Sequence, residues 1–207
     1  MTLTTTLTGN KLNRRGFIAS GVALATIGAA APALALNEAE ARTLITASLN
    51  DVNAAIASGK SGAALYSAFE RIFSKYADVP IIAQSALGLA ARQATPAQMR
   101  AYTEAYRGYL ARKYGRRFNE FDGARFEVVS SRPVKSYFEV KSNAFLKGKS
   151  PFEVLWHVSN KSGKNLFFNI IIEGVNMLAS ERSEIGAMLD KRKGNIDALI
   201  ADLKAAG

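Results

Sequence analysis

The spacing of apolar residues changes period twice along the chain, and this restricts the folds open to it. Residues 38–58 carry Ala41, Leu44, Ile45, Leu49, Val52 and Ile56 at helical spacing, and Gly59 stops that helix. Residues 61–76 repeat the pattern with Leu65, Phe69, Ile72, Phe73 and Tyr76. Asp78-Val79-Pro80 reads as a cap before a short helix over 79–91 bearing Ile82, Ala86, Leu87 and Leu89. Thr95-Pro96 opens the longest helix, with Thr95 as N-cap and Pro96 at the first helical position. Its apolar line runs Met99, Tyr102, Tyr106, Tyr109, Leu110, Tyr114, Phe118 and Phe121. After Gly123 the period becomes two, and residues 125–130, 135–145, 151–159 and 165–173 read as four strands. Ser162-Gly163 is a hairpin turn between the last two. Gly174 ends the strands, and residues 176–191 and 195–205 return to helical spacing. Strands grouped together and flanked by helices predict an α+β fold, with helices packed on an antiparallel sheet.

The first 35 residues stand outside that pattern. Asn13-Arg14-Arg15-Gly16-Phe17-Ile18 precedes an apolar run to Ala31 and then Pro32-Ala33-Leu34-Ala35. A basic segment, an apolar core and small residues at −3 and −1 make a cleavable leader. The paired arginines followed by Phe17 and Ile18 look like the twin-arginine consensus, which exports a folded protein. The run of about 14 apolar residues is short of the roughly 20 needed to span a bilayer. The expected organisation is a twin-arginine signal peptide over 1–35 and one domain over 36–207, placed in the periplasm.

Several chemistries have no residues to run on. There is no cysteine and His157 is the single histidine, so thiolate chemistry and zinc-finger sites are excluded. A metal site at His157 would need several carboxylates brought to one strand. Gly59-Lys60-Ser61 resembles the end of a phosphate-binding loop, but Ala54 stands where that loop needs glycine. No Gly-x-Ser-x-Gly elbow occurs. Glu104, Glu120, Glu127, Glu139, Glu153 and Glu173 are scattered rather than paired, which leaves a pair formed by folding open. The net charge is +10, of which Lys11, Arg14 and Arg15 belong to the leader. A basic balance steers a protein toward anionic surfaces. Export weakens a nucleic-acid reading, so none is expected as partner.

The residues resemble a known family. Ile170-Ile171-Ile172-Glu173-Gly174-Val175-Asn176-Met177-Leu178, followed by Glu181-Arg182-Ser183-Glu184, is similar to the closing strand and glycine turn of MlaC, the toluene-tolerance or auxiliary-transport proteins of the bacterial lipid-asymmetry system. Asp78 with Leu87-Gly88 and Ala94-Thr95-Pro96-Ala97-Gln98 resembles the central helices. Tyr109-Leu110 with Tyr114-Gly115-Arg116-Arg117-Phe118 resembles the end of the long helix. Ile196-Asp197-Ala198-Leu199-Ile200 with Leu203 resembles the terminal helix. The family usually has tryptophan, aspartate and serine where this chain has Asn165, Asn169 and Asn176. Those departures leave open another lipid cargo, such as a hopanoid.

The resemblance implies a twisted antiparallel sheet of about four strands wrapped by N- and C-terminal helices, with an internal apolar cavity. It implies a periplasmic carrier of two-chain phospholipid, neither enzyme nor cofactor protein, that exchanges lipid with an inner-membrane Mla ABC transporter complex and an outer-membrane Mla lipoprotein complex. Two acyl chains expose about 30 methylenes, each worth roughly 0.8 kcal/mol in water, so the tails must be enclosed. One face of the strands offers Phe126, Val128, Phe138, Val140, Phe152, Val154, Trp156, Val158, Phe168, Ile170 and Ile172 as wall. Ile82 and Leu87 face them from an alanine-rich segment, and Tyr102 and Tyr106 from the long helix. Periodicity alone fits a filled core equally well. Two rival readings remain: an exported enzyme whose pocket gathers carboxylates with His157, and an adaptor or chaperone that holds polypeptide.

Overall fold

The computed structural model describes residues 36–116 and 123–206. The expected leader, and Phe118 and Phe121 of the long helix's apolar line, lie outside the described residues. The described part is α+β, six helices around one open antiparallel sheet.

Helix α1 (Glu38–Ala57) begins at a capping box. Asn37 Oδ1 accepts from the Glu40 amide at 2.9 Å, and Glu40 accepts in return from the Asn37 amide at 3.2 Å, so two orphan donors are satisfied together. Gly59 at φ +67° ends the turn after α1, a conformation L side chains resist. Helix α2 (Gly62–Tyr76) follows. Helix α3 (Val79–Leu87) starts on the Asp78 side chain and stops at Gly88. The expected helix over 79–91 is divided there, because Gly88 takes φ +66° and the chain continues to Arg92 as a tighter 3-10 turn. Helix α4 (Pro96–Gly115) opens on a second capping box, Thr95 with Gln98. Helices α5 (Met177–Lys191) and α6 (Ile196–Ala205) are each capped by an asparagine, Asn176 and Asn195.

The strands β1 (Arg125–Val134), β2 (Tyr137–Phe145), β3 (Phe152–Ser159), β4 (Leu166–Ile172) and β5 (Val175–Asn176) form a meander in sequence order. The fifth strand was not expected. Glu173 (φ +49°) and Gly174 (φ +80°) make a two-residue turn with both central residues left-handed, and this turn sets Val175 opposite Ile172. A two-residue strand running straight into a helix carries no alternation to read.

Helix α4 lies against α2, α3 and α6, while α1 lies along β1 and β2 and α5 packs on α3 and β4. The Asp78 amide donates to the Phe167 carbonyl at 2.8 Å, tying the α2–α3 junction to β4. The core holds Ile45, Tyr102, Tyr106, Val140, Val158, Ile185, Leu199 and Leu203 out of water. Each large apolar side chain so buried contributes roughly 1.5–3 kcal/mol. Among the described residues no helix is long and apolar enough to cross a membrane.

Candidate functional site: an apolar cavity between sheet and helices

The strand register builds one wall. Phe126 pairs with Ala144, Ala144 with Phe152, Val154 with Ile172, and Trp156 with Ile170. Alternation then places Phe126, Phe152, Val154, Trp156, Ile170 and Ile172 on a single face. The Trp156 indole N–H donates to Ser142 Oγ at 2.9 Å, which fixes the ring and satisfies its one donor. The helices form the facing wall with Leu49 and Val52 of α1, Phe69, Ile72 and Phe73 of α2, Ile82 of α3, and Tyr106, Leu110 and Tyr114 of α4. Met177, Leu178 and Glu181 close it from α5. These walls line a half-open cavity of about 670 Å³, within the roughly 300–1,000 Å³ of pockets that bury an organic ligand.

A kink in β4 decides how its aromatics are placed. The register shifts between His157 and Val158, so Phe167 stands opposite Val158. Phe167 packs edge-on to Trp156 at 5.4 Å and against Phe73 at 6.1 Å, joining sheet to α2. Phe168 borders the cavity, yet its ring lies on Tyr137 at 5.6 Å and His157 at 5.7 Å.

One end of the cavity is polar. Glu181 is buried, and Oε1 accepts from Lys113 at 2.7 Å and from the Tyr114 hydroxyl at 2.5 Å. Lys113 and the Tyr109 hydroxyl also donate to Glu184. Burial works against the Lys113 charge, but its bonds to Glu181 and Glu184 prevail and hold it above the usual lysine range. Burial, with the Glu184 bond adding to it, pushes Tyr109 up to about 12. Burial also raises Tyr102 and Tyr106, with the Glu181 carboxylate adding to it, so both stay neutral. The exposed Lys149 and Ser150 of the β2–β3 connection and the exposed Glu173 and Val175 of the β4–β5 turn also border the cavity and mark its mouth.

The expected wall residues divide. Ile82, Tyr106, Phe126, Phe152, Val154, Trp156, Phe168, Ile170 and Ile172 border the cavity. Leu87, Tyr102, Val140 and Val158 are buried among other side chains, and Phe138 packs against the same core without reaching the hollow. Val128 lines a separate, polar groove beside α1. Leu89, read with the alanine-rich segment, is 69% exposed because the turn at Gly88 rotates it outward. Sequence reasoning did not name Leu49, Val52, Phe69, Ile72, Phe73, Leu110 or Phe167 as wall. All except Phe167 lie on the helical apolar lines, and Phe167 is set inward only by the bulge.

His157 packs against Tyr137 and Phe168, with Nε2 3.4 Å from Glu139 Oε2. Burial lowers its pKa against the pull of Glu139. Among the described residues no three histidine or carboxylate side chains are grouped as metal ligands. What the cavity offers chemically is dispersion contact and exclusion of water.

The family described as "MlaC protein" matches residues 43–205 of the chain. Among solved structures, a phospholipid-binding protein from Ralstonia solanacearum, in complex with a phospholipid, superposes with a TM-score of 0.69 at 19% identity, covering 80% of this chain and 95% of that one.

Proposed function

Because the chain belongs to the MlaC family, we propose that it is a phospholipid carrier, with acyl tails held in the cavity and the headgroup left at the mouth. The observation that carries this reading is the apolar hollow of about 670 Å³ between sheet and helices. Tails moved from water into such walls gain roughly 0.8 kcal/mol per methylene, so affinity comes from the tails and release is slow. The headgroup rests beside Lys149 and Ser150, where a cation and a hydroxyl suit a phosphate. The phospholipid held by the Ralstonia solanacearum protein, on the same fold, supports the reading.

In this reading residues 1–35 are a twin-arginine signal, the carrier works in the periplasm, and it exchanges lipid with Mla complexes of the inner and outer membranes. It binds and releases without catalysis, and direction is supplied by the inner-membrane transporter. Mass spectrometry of organic extracts from the protein purified out of cells tests the proposal. Glycerophospholipid at near-stoichiometric amount is expected. Lipid-free protein, or a co-purifying polypeptide in its place, would overturn it.

A further inference from the structure

Helix α1 presents two stripes to two different spaces. Ser48, Leu49 and Val52 border the apolar cavity. Arg42, Thr46, Asn50 and Asn53, spaced by three and four residues, border a groove of about 590 Å³ along β1. Leu49 and Phe126 border both spaces, so these two side chains are the partition between hollow and groove.

The groove is polar where the cavity is not. The register of β1 shifts between Val128 and Ser130, and there Arg42 donates to the carbonyls of Val128 and Val129 at 3.3 and 3.1 Å. A guanidinium has five N–H donors, so that clamp leaves others over. Thr46, Asn50 and Asn53 make no side-chain hydrogen bond among the described residues. Glu127, the acid on this lining, is paired with Arg125. A guanidinium, two amides and a hydroxyl next to an acyl-sized hollow match the phosphate and hydroxyls of a glycerol headgroup. A partition of two side chains opens by rotamer change, which needs no backbone motion.

We propose that this groove is a side opening of the cavity, closed by Leu49 and Phe126, that receives the phosphate and hydroxyl groups of a lipid headgroup. The inference rests on the phospholipid reading. It gives the carrier two openings, one at Lys149 and Ser150 and one at Arg42, Asn50 and Asn53.

The test uses the full chain with a photoreactive benzophenone residue in place of the exposed Val129, which lines the groove, or of the exposed Arg71 on α2 as control. The protein is loaded with dioleoyl phosphatidylglycerol labelled either in its head glycerol or in its tails. Head label is expected to attach at Val129 about ten-fold more than at Arg71, the weight of one net hydrogen bond, with tail label lower. Adding Asn50→Ala and Asn53→Ala is expected to cut the attachment at Val129 about ten-fold. Labelled lipid that co-elutes but attaches no better at Val129 than at Arg71, or attaches there by its tails, overturns the side opening and leaves the carrier reading intact. Loss of the head signal in millimolar inorganic phosphate, with lipid still bound, also overturns it, since the groove is then an anion site. Protein that takes up no lipid at all overturns both.

Discussion

The two ends of the interior are equally apolar in sequence and differ in how they are filled. At the α5–α6 end, Ile185, Leu199 and Leu203 have no exposed surface, and their neighbours take up all the space around them. At the sheet end, Val52, Ile72, Phe73, Phe126, Phe152, Ile170 and Ile172 are only partly buried because they border a hollow. The difference teaches that burial depends on what stands opposite. Two helices can interdigitate side chain by side chain. A twisted sheet facing several separately placed helices leaves a gap that its own side chains do not reach across.

The largest expected effect separates the ends directly. Leu203→Ala removes a side chain with full contact on all sides, and large-to-small changes at such sites cost about 3 kcal/mol. Ile170→Ala removes one whose inward surface already faces a void, so the loss in lipid-free protein is about 1 kcal/mol. Urea unfolding of both variants after delipidation measures this. Equal losses would mean that the hollow closes when empty, and the contrast would then be false.

Filling the hollow with ligand should erase part of the contrast. A ligand that binds only the folded state at a hundred times its Kd adds about 2.7 kcal/mol, so stripping lipid lowers the unfolding free energy by that amount and the urea midpoint with it. Ile170→Glu places a carboxylate in the apolar wall and is expected to reduce co-purifying lipid at least about ten-fold, the cost of leaving a polar group unpaired among tails. That variant should then unfold at the same midpoint before and after delipidation. A stripping effect of full size in Ile170→Glu would place the bound lipid elsewhere.

These contrasts explain how much of the molecule was legible beforehand. The helices, the four longer strands and the family could be read because each rests on local period or on a run of residues such as Ile170 to Leu178. The gap could not be read. Leu203 and Ile172 are indistinguishable by periodicity, and only the register and helix placement show that one is packed and the other faces space. Phe168 borders the cavity as expected, but one bulge beside Val158 brings Phe167 into the wall as well, and a bulge leaves no mark on alternation. Helical wall residues such as Ile72 and Leu110 were seen as apolar lines, without a signal telling wall from core. The partition at Leu49 and Phe126 joins residues far apart in sequence and needed the fold to be seen.

Between the two ends, Lys113 clasps α4 to α5 through Glu181 and Glu184, and this clasp has a pH signature. Burial acts to raise Glu184, but the bonds from Lys113 and Tyr109 outweigh it and hold the group below its ordinary value of 4.5. A depressed carboxylate contributes stability above that value and loses it as pH falls through the lowered one. Tyr109, raised from 10.0 to about 12 mainly by burial, contributes below pH 10 and loses its contribution as pH rises through about 12. The clasp's contribution should therefore be level between these limits, with Glu184→Gln reducing the acid fall. If delipidation moves the acid limb as much as Glu184→Gln does, the clasp and the hollow are one unit.

The smallest expected effects probe space at single glycines on either side of that boundary. Gly115 closes α4, and a Cβ built there meets Tyr66 Cδ1 at 2.5 Å. Alanine is the better helix former by about 1 kcal/mol, yet Gly115→Ala must displace a ring held between α2 and α4, so a net loss of about 1 kcal/mol is expected. Gly186 sits within α5 with no heavy atom within 4 Å of its would-be Cβ. There the unfolded chain loses freedom and nothing clashes, so Gly186→Ala should gain about 0.5–1 kcal/mol in urea unfolding. A loss at Gly186 would show that α5 lies closer to its surroundings than the packed end allows, whereas a gain at Gly115 would show that the Tyr66 ring moves aside at no cost.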